Sequence, residues 1–527
     1  MGVLASIVFA LSLTPLLGLI PAALSGDVAK RWDRINGVLL DRLVNTIVLA
    51  AGTALLSVAV ALPLVYFFHR RRFLGRSAAR IFYIAPLLIP PHIHAISWMR
   101  ILGRQGYLSQ WLEQHDWNFA IRQGFLEIAG TETFFPGTTW ISFCSFWPLA
   151  ALLISSGFAQ TDVRREEAAR LVAGPWRTFW KIVWPEIGRH VLAGGFFVFI
   201  FAATCYAIPQ LLDTPVIMVE VFFVASQVDN VSAAVVALPL VLTTLAALYW
   251  VAWSSGREIF RGTAHARPLA DALRPKSIGA AIYVWGLIAV TAGWPFFSLV
   301  AKAGGLATYR FIFQNTITDL RASLILSTIS AFVLVAAALP IALLCRRLGP
   351  RRGFAIEALA LTAFALPAAV VGVAMNLFWG RFESISFIDT FVYRGLGLPI
   401  LAYLTLFLPF AVRCIRTALA RIPASATEAA EISGRSGTAI FFRILLPMLR
   451  PALIAAALLG FVLTLGELVA GLMVNPDQWQ TAQSRVFNMV HFSRDEEVAA
   501  LCVLIGLLAL LPLSLFALFS GRKVELL

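Results

Sequence analysis

The chain has 527 residues, of which 59% are hydrophobic and 13% charged, with a mean hydropathy of +0.82. Soluble globular domains carry about a quarter charged residues, so this composition excludes an ordinary soluble protein and predicts a chain that crosses a membrane many times. A formal net charge of +14 would suit a nucleic-acid partner, but the basic residues gather in a few loops between apolar runs, which is the pattern of membrane topology; no nucleic acid is expected.

About 20 apolar residues in a helix cross a hydrocarbon layer of about 30 Å. Taken in order, such runs lie at about 3–23, 43–68, 81–102, 136–159, 191–212 and 233–254, then at about 278–301, 322–345, 355–379, 395–412, 451–474 and 498–520. The prediction is an all-α polytopic membrane protein with about twelve transmembrane helices. The first run lacks a basic leader and an Ala-x-Ala cleavage site, so a retained span is expected there. The run Val216 to Ala225 is too short to span and carries Glu220, which suits an interfacial or re-entrant piece. Alternating the loops across the membrane puts most Lys and Arg on the side that holds Arg70-Arg71-Arg72, Arg346-Arg347, Arg351-Arg352 and Arg522-Lys523. The positive-inside rule makes that side the cytoplasm, places both termini there, and leaves contact with lipid headgroups as a secondary use of the charge. The five cysteines are scattered without a CxxC pair, so neither a disulfide framework nor a thiolate metal site is expected.

The second half restates the first. Ala61-Leu62-Pro63-Leu64 is answered 277 residues on by Ala338-Leu339-Pro340-Ile341, and Pro90 is answered by Pro367 at the same offset. A shared offset at two landmarks argues duplication. The predicted units are residues 1–260 and 277–527, joined by a polar linker at 261–276; the external loop Gly103 to Phe135 is the longer of its pair, against Gly380 to Arg394.

Each unit also carries a cytoplasmic segment of the same build. The first reads Arg165-Glu166-Glu167-Ala168-Ala169, reaches Gly174-Pro175 and closes on Ile182-x-x-Pro185; the second reads Thr427-Glu428-Ala429-Ala430, reaches Gly434 and closes on Ile444-x-x-Pro447. Asp162 suits an N-cap, and Ser425 with Glu428 has capping-box spacing. Gly434 suits a left-handed C-cap, and Pro175 suits the first turn of a new helix. Trp176, Phe179, Trp180, Val183 and Trp184 then form one apolar stripe at helical spacing, matched by Phe441, Phe442, Leu445 and Leu446.

This arrangement resembles the EAA loop (Glu-Ala-Ala, then Gly, then Ile-x-Leu-Pro) of ABC importer permeases, whose short coupling helix enters a cleft on an ATPase subunit. The second copy carries the pattern at Glu428, Ala429, Ala430, Gly434, Ile444, Leu446 and Pro447. The first carries it at Glu167, Ala168, Ala169, Gly174 and Pro185, with Trp184 in place of Leu and one residue fewer between Glu167 and Pro185. The resemblance implies two tandem six-helix type I permease units in the bacterial inner membrane, docked on two ATP-binding ATPase subunits and fed by an external substrate-binding protein. It places ATP and Mg on the ATPase, and implies no cofactor, catalysis or resident metal on this chain. The sequence accordingly holds no Gly-x-x-x-x-Gly-Lys-Ser/Thr loop.

Gly466 to Val474, Trp479-Gln480-Thr481, Arg485 to Asn488 and Gly103 to Tyr107 are similar to the fused permeases of the ferric-iron and thiamine type. That likeness implies ferric iron as cargo, with thiamine, a polyamine or an organophosphonate as alternatives.

Ionisable groups inside spans are costly unless they face a cavity or a partner, which makes Glu467, His92 and His94 candidates for a substrate pathway, along with Tyr206 beside the repeat equivalent of Glu467. A structural carboxylate bound to a neighbouring helix end is the alternative for Glu467, and packing roles are the alternative for the histidines. Arg100 is expected to snorkel to the outer surface. The rival classes are an ion-coupled secondary transporter, which would need buried charge pairs, and a membrane enzyme, which would need a catalytic His/Asp/Glu cluster.

Overall fold

The computed structural model describes residues 28–103, 106–115, 135–254, 276–349 and 366–519, with a few more within 10–19 and 352–362. The run at 3–23, nearly all of the linker, and parts of the runs at 355–379 and 498–520 therefore lie largely outside the described residues.

Among the described residues the chain is helical, without a strand; one isolated parallel bridge joins Arg72 to Lys276. Among the described residues eight helices are long and apolar enough to cross a membrane, Arg76–Leu88 and Pro91–Trp111 form an apolar pair bent by 92°, and Ile217–Gln227 and Ala368–Phe382 are shorter apolar pieces. This is the polytopic all-α protein that composition predicts, because in hydrocarbon a helix satisfies every backbone polar group within its own segment.

In chain order the first half comprises α1 (Val28–Arg70), α2 (Arg76–Phe82), α3 (Ala85–Leu88), α4 (Pro91–Leu102), α5 (Tyr107–Glu113), α6 (Pro136–Phe158), α7 (Val163–Thr178), α8 (Trp184–Thr204), α9 (Ala207–Leu211), α10 (Ile217–Gln227) and α11 (Asn230–Ser254). The second comprises α12 (Ile278–Ile288), α13 (Trp294–Lys302), α14 (Leu306–Arg347), α15 (Ala368–Trp379), α16 (Gly397–Arg421), α17 (Ala424–Ile432), α18 (Gly437–Ile440), α19 (Leu446–Gly466), α20 (Val469–Val474), α21 (Ala482–Phe492) and α22 (Asp495–Phe519). In each half three long helices pack on one another, α1 with α6 and α8, and α14 with α16 and α19. The duplicated prolines act alike: Pro90 (φ −55°, ψ 141°) and Pro367 (φ −60°, ψ 147°) each stand extended at the start of a twelve-residue helix, since proline lacks the donor that a helix start leaves unused and biases the residue before it away from helix.

One apolar core runs through both halves. Trp147, fully buried in α6, donates from Nε1 to Thr291 Oγ1 (3.2 Å) in the π-helical turn Ala289–Gly293 of the second half. Trp147→Ala is expected to cost about 3–5 kcal/mol, as large core truncations do, and Thr291→Val about 1 kcal/mol for the lost hydrogen bond. Thermal melts of the detergent-solubilised chain should rank the two in that order.

Arg100, expected to snorkel to the outer surface, ends in an exposed pair with Asp495 at the start of α22, and that hydrogen bond holds the Asp495 carboxyl below the usual carboxylate range. One expectation is corrected. The capping box at Ser425 does not form, because α17 starts one residue earlier, at Ala424, with Pro423 as its extended N-cap residue and no side-chain cap bond. A proline at the boundary makes the start without needing a serine.

Candidate functional site

The second arm is built from α17 to the start of α19. Ile432 ends α17, Gly434 takes φ 74°, and the amides of Gly434 and Arg435 bond back to the carbonyls of Glu431 (2.9 Å) and Ala430 (3.1 Å). These two bonds form a Schellman motif, which needs a left-handed residue where Gly434 stands. Ser436 then caps α18 by accepting from the Ala439 amide (3.3 Å), and a π-helical turn, Phe441–Leu445, leads into α19. The first arm lacks this turn. Its helix runs on to Gly174 (φ 71°, ψ 168°), breaks there, and restarts at Pro175 before an equivalent π-helical turn, Phe179–Val183, and α8.

The two π-helical turns start 262 residues apart, and α8 and α19, both of 21 residues, keep that offset from end to end. On this register Pro185 matches Pro447, and Glu428 matches Glu166 instead of Glu167; Gly434 matches Val172, and Gly174 matches Ser436. Glu166 is 4% exposed. Its Oε2 accepts from Arg70 Nε (2.8 Å) and its Oε1 from Arg170 Nη2 (2.5 Å). Arg70 also donates to Thr161 Oγ1 (2.6 Å) and lies over the Phe158 ring.

Glu167, Ala168 and Pro185 are exposed, with Ala169 and Gly174 half-buried; in the second arm Glu428, Ala429 and Gly434 are exposed, with Ala430 and Pro447 half-buried. Leu171, Val172, Trp176 and Trp180 stand out from the first arm, and Ile432 and Phe442 from the second. The Trp180 ring lies 5.7 Å from Trp176 and 5.2 Å from Trp184, so the aromatic stripe is one connected ridge even though a π-helical turn interrupts its regular spacing.

A second matched feature lies deep in the helices. After α8, Cys205 is extended (φ −73°, ψ 123°) before α9; after α19, Glu467 is extended (φ −77°, ψ 121°) before α20. The Glu467 carboxylate accepts from the amides of Val469 (2.9 Å) and Ala470 (3.0 Å). Tyr206 is buried against Phe222 (4.5 Å between ring centres) and faces Phe487 of α21 (6.2 Å). His92 and His94 are both buried; His94 Nε2 bonds the Pro86 carbonyl (2.8 Å), whereas His92 stands beside Gln483 of α21. Gln483 in turn donates to the Leu465 carbonyl (2.5 Å), two residues before Glu467. A cleft of about 470 Å³ between α9, α10 and α21 is lined by Tyr206, Gln210, Glu220, Phe222, Ser226 and Phe487. Among the described residues no three His, Cys, Asp or Glu side chains are grouped to hold a metal ion.

Residues 335–525 match the family described as binding-protein-dependent transport system inner membrane component. The ferric transport system permease protein FbpB of Actinobacillus pleuropneumoniae is 25% identical over 460 residues, 80% of this chain and 62% of that protein. A putative ferric transport permease of Haemophilus influenzae is 24% identical over 82% of this chain and 69% of its own length. The molybdenum transport permease ModB of Azotobacter vinelandii is 29% identical over 222 residues, 96% of its own length but 40% of this chain. Residues 335–525 thus carry the permease domain of a binding-protein-dependent importer, and the similarity to the ferric permeases runs over most of the chain. The aligned region spans less than two thirds of the Actinobacillus relative.

Within this permease the predicted pathway residues do not form one cluster. Tyr206, His92 and the approach to Glu467 converge on α21, while His94 is turned back onto Pro86 of α3. Gln483 and Phe487 were not legible as site residues, since α21 is polar enough to fall outside the apolar runs. Glu166 was legible: counting back from Pro185 by the distance that separates Pro447 from Glu428 lands on it.

Proposed function

We propose that this permease forms the solute pathway of an ATP-driven importer in the bacterial inner membrane, with both termini cytoplasmic and with its two arms docked on two separate ATPase subunits that carry ATP and Mg. An external binding protein delivers the cargo, for which the ferric permeases among its relatives make ferric iron the first choice. The observation that carries this reading is the pair of arms on one register, each presenting apolar side chains that stand exposed among the described residues. The duplicated proline breaks support two permease units, 1–260 and 277–527, and so does the fit of nearly a whole relative to 40% of the chain. In cycling, closure of the ATPase pair draws the arms together and opens the pathway outward, and hydrolysis reverses the motion. Among the described residues no carboxylates are grouped to hold a metal, and in this reading the pathway passes cargo on while the external protein selects it.

The test is reconstitution. Proteoliposomes holding the permease, its ATPase and its binding protein should accumulate ferric iron only with ATP, and the ATPase should copurify with the permease. Unaided solute movement by the purified chain would overturn the reading and favour a secondary transporter. Glu428→Lys, which reverses an exposed charge on the second arm, is expected to lower uptake per ATP hydrolysed about tenfold while leaving insertion normal, a loss of about 1.4 kcal/mol of coupling.

A further inference from the structure

The two arms are braced differently. Arg70, in the last turn of α1, is buried and holds Glu166 of the first arm and Thr161 ahead of it; Arg170 closes the other side of Glu166 and reaches Tyr66 Oη (3.4 Å). His69 next door stacks on Phe158 (5.7 Å between ring centres) and bonds Ser155 Oγ (2.9 Å). The first arm is thus tied by a buried, charge-assisted bond to the end of α1, which in turn holds the end of α6.

Among the described residues none of this forms in the second half. The offset of 277 puts Arg347 where Arg70 stands and Leu343 where Tyr66 stands, and the offset of 262 puts Pro423, Glu428 and Ile432 where Thr161, Glu166 and Arg170 stand. Only the arginine and the glutamate survive, both are exposed, and no ion pair joins them among the described residues. Ile432, in place of Arg170, is 88% exposed.

We propose that the arms are mechanically unequal: the first is a strut that Arg70, as a positioning residue, locks through Glu166 to α1, and the second, which lacks that buried pair, stiffens when a partner grips it. Movement imposed on the first arm passes directly into α1. Movement imposed on the second reaches the helices along its own chain, at α16 before it and through its π-helical turn and α19 after it.

Hydrogen exchange on the full chain in detergent tests this without any partner. Backbone amides of 164–173 should exchange at least about tenfold more slowly than those of 425–433, because opening the first arm must break the buried pair. Arg70→Gln should bring the first arm to the rate of the second, Arg70→Lys should keep part of the protection, and amides of α6 should be unmoved in both. Equal exchange of the two arms in the wild type, or no change in either variant, overturns the proposal. Should Arg70→Gln also loosen α6, the Lys variant and the wild-type comparison still decide. The functional arm rests on the coupling role proposed above: with ATPase and binding protein present, Arg70→Gln should keep ATP hydrolysis but lower solute moved per ATP about fivefold. An ATPase that never associates with the wild type would sink the coupling role and leave the exchange result standing.

Discussion

Gly174→Ala is expected to straighten the first arm and cut uptake by up to about a hundredfold, whereas Gly434→Asn is expected to keep uptake within about threefold of the wild type. Both glycines have positive φ, and no atom lies within 4 Å of where a Cβ would sit on either, so steric crowding does not separate them. Backbone conformation does. Gly174 at φ 71°, ψ 168° occupies a region that residues with a Cβ essentially do not enter, at a cost of about 1–3 kcal/mol. Gly434 holds the left-handed position of a Schellman motif, which asparagine also fills. With alanine at 174 the chain gains by continuing the helix, so the bent arm loses population by about tenfold per 1.4 kcal/mol, and α7 points its exposed Trp176 and Leu171 in a new direction. The measurements are ATP-dependent uptake and the fraction of ATPase retained on purification, with extraction and melting of the permease as controls. A reversed ranking, asparagine at 434 worse than alanine at 174, would contradict the conformational argument.

What the sequence made legible follows from what lipid demands. A span needs about 20 apolar residues, so most crossings show as apolar runs; a proline alone does not decide a break, since Pro63, Pro148 and Pro340 lie inside unbroken helices while Pro90 and Pro367 stand at helix starts. Matching the literal string Glu-Ala-Ala in the first arm instead selects Glu167, because string matching ignores that the helix there runs on past the position of Gly434 before it breaks. The π-helical turns and the prolines at 185 and 447 set the register, and on it Glu166 is the counterpart of Glu428. Pairings such as Arg100 with Asp495, or Gln483 with the Leu465 carbonyl, join groups far apart or in different segments, and no periodicity encodes them.

Glu467 gives the sharpest separation between a pathway role and a structural one. Its carboxylate accepts from the amides two and three residues on, which are among the donors that the start of α20 would otherwise leave unpaired. In the first half the Cys205 sulfur faces the amides of Ala207 and Ile208, at the same two positions after the same backbone bend. The break therefore asks for an acceptor and not for a charge. Glu467→Gln, which keeps an oxygen acceptor, and Glu467→Cys, which copies the first half, are expected to insert, melt and transport within about threefold of the wild type. Glu467→Leu offers no acceptor and strands two amides where water does not compensate, at about 1–3 kcal/mol each. It is expected to lower the melting midpoint sharply and cut uptake by more than about a hundredfold. If Glu467→Gln instead abolished uptake while melting like the wild type, the negative charge itself would serve the solute, and Glu467 would move from the scaffold into the pathway.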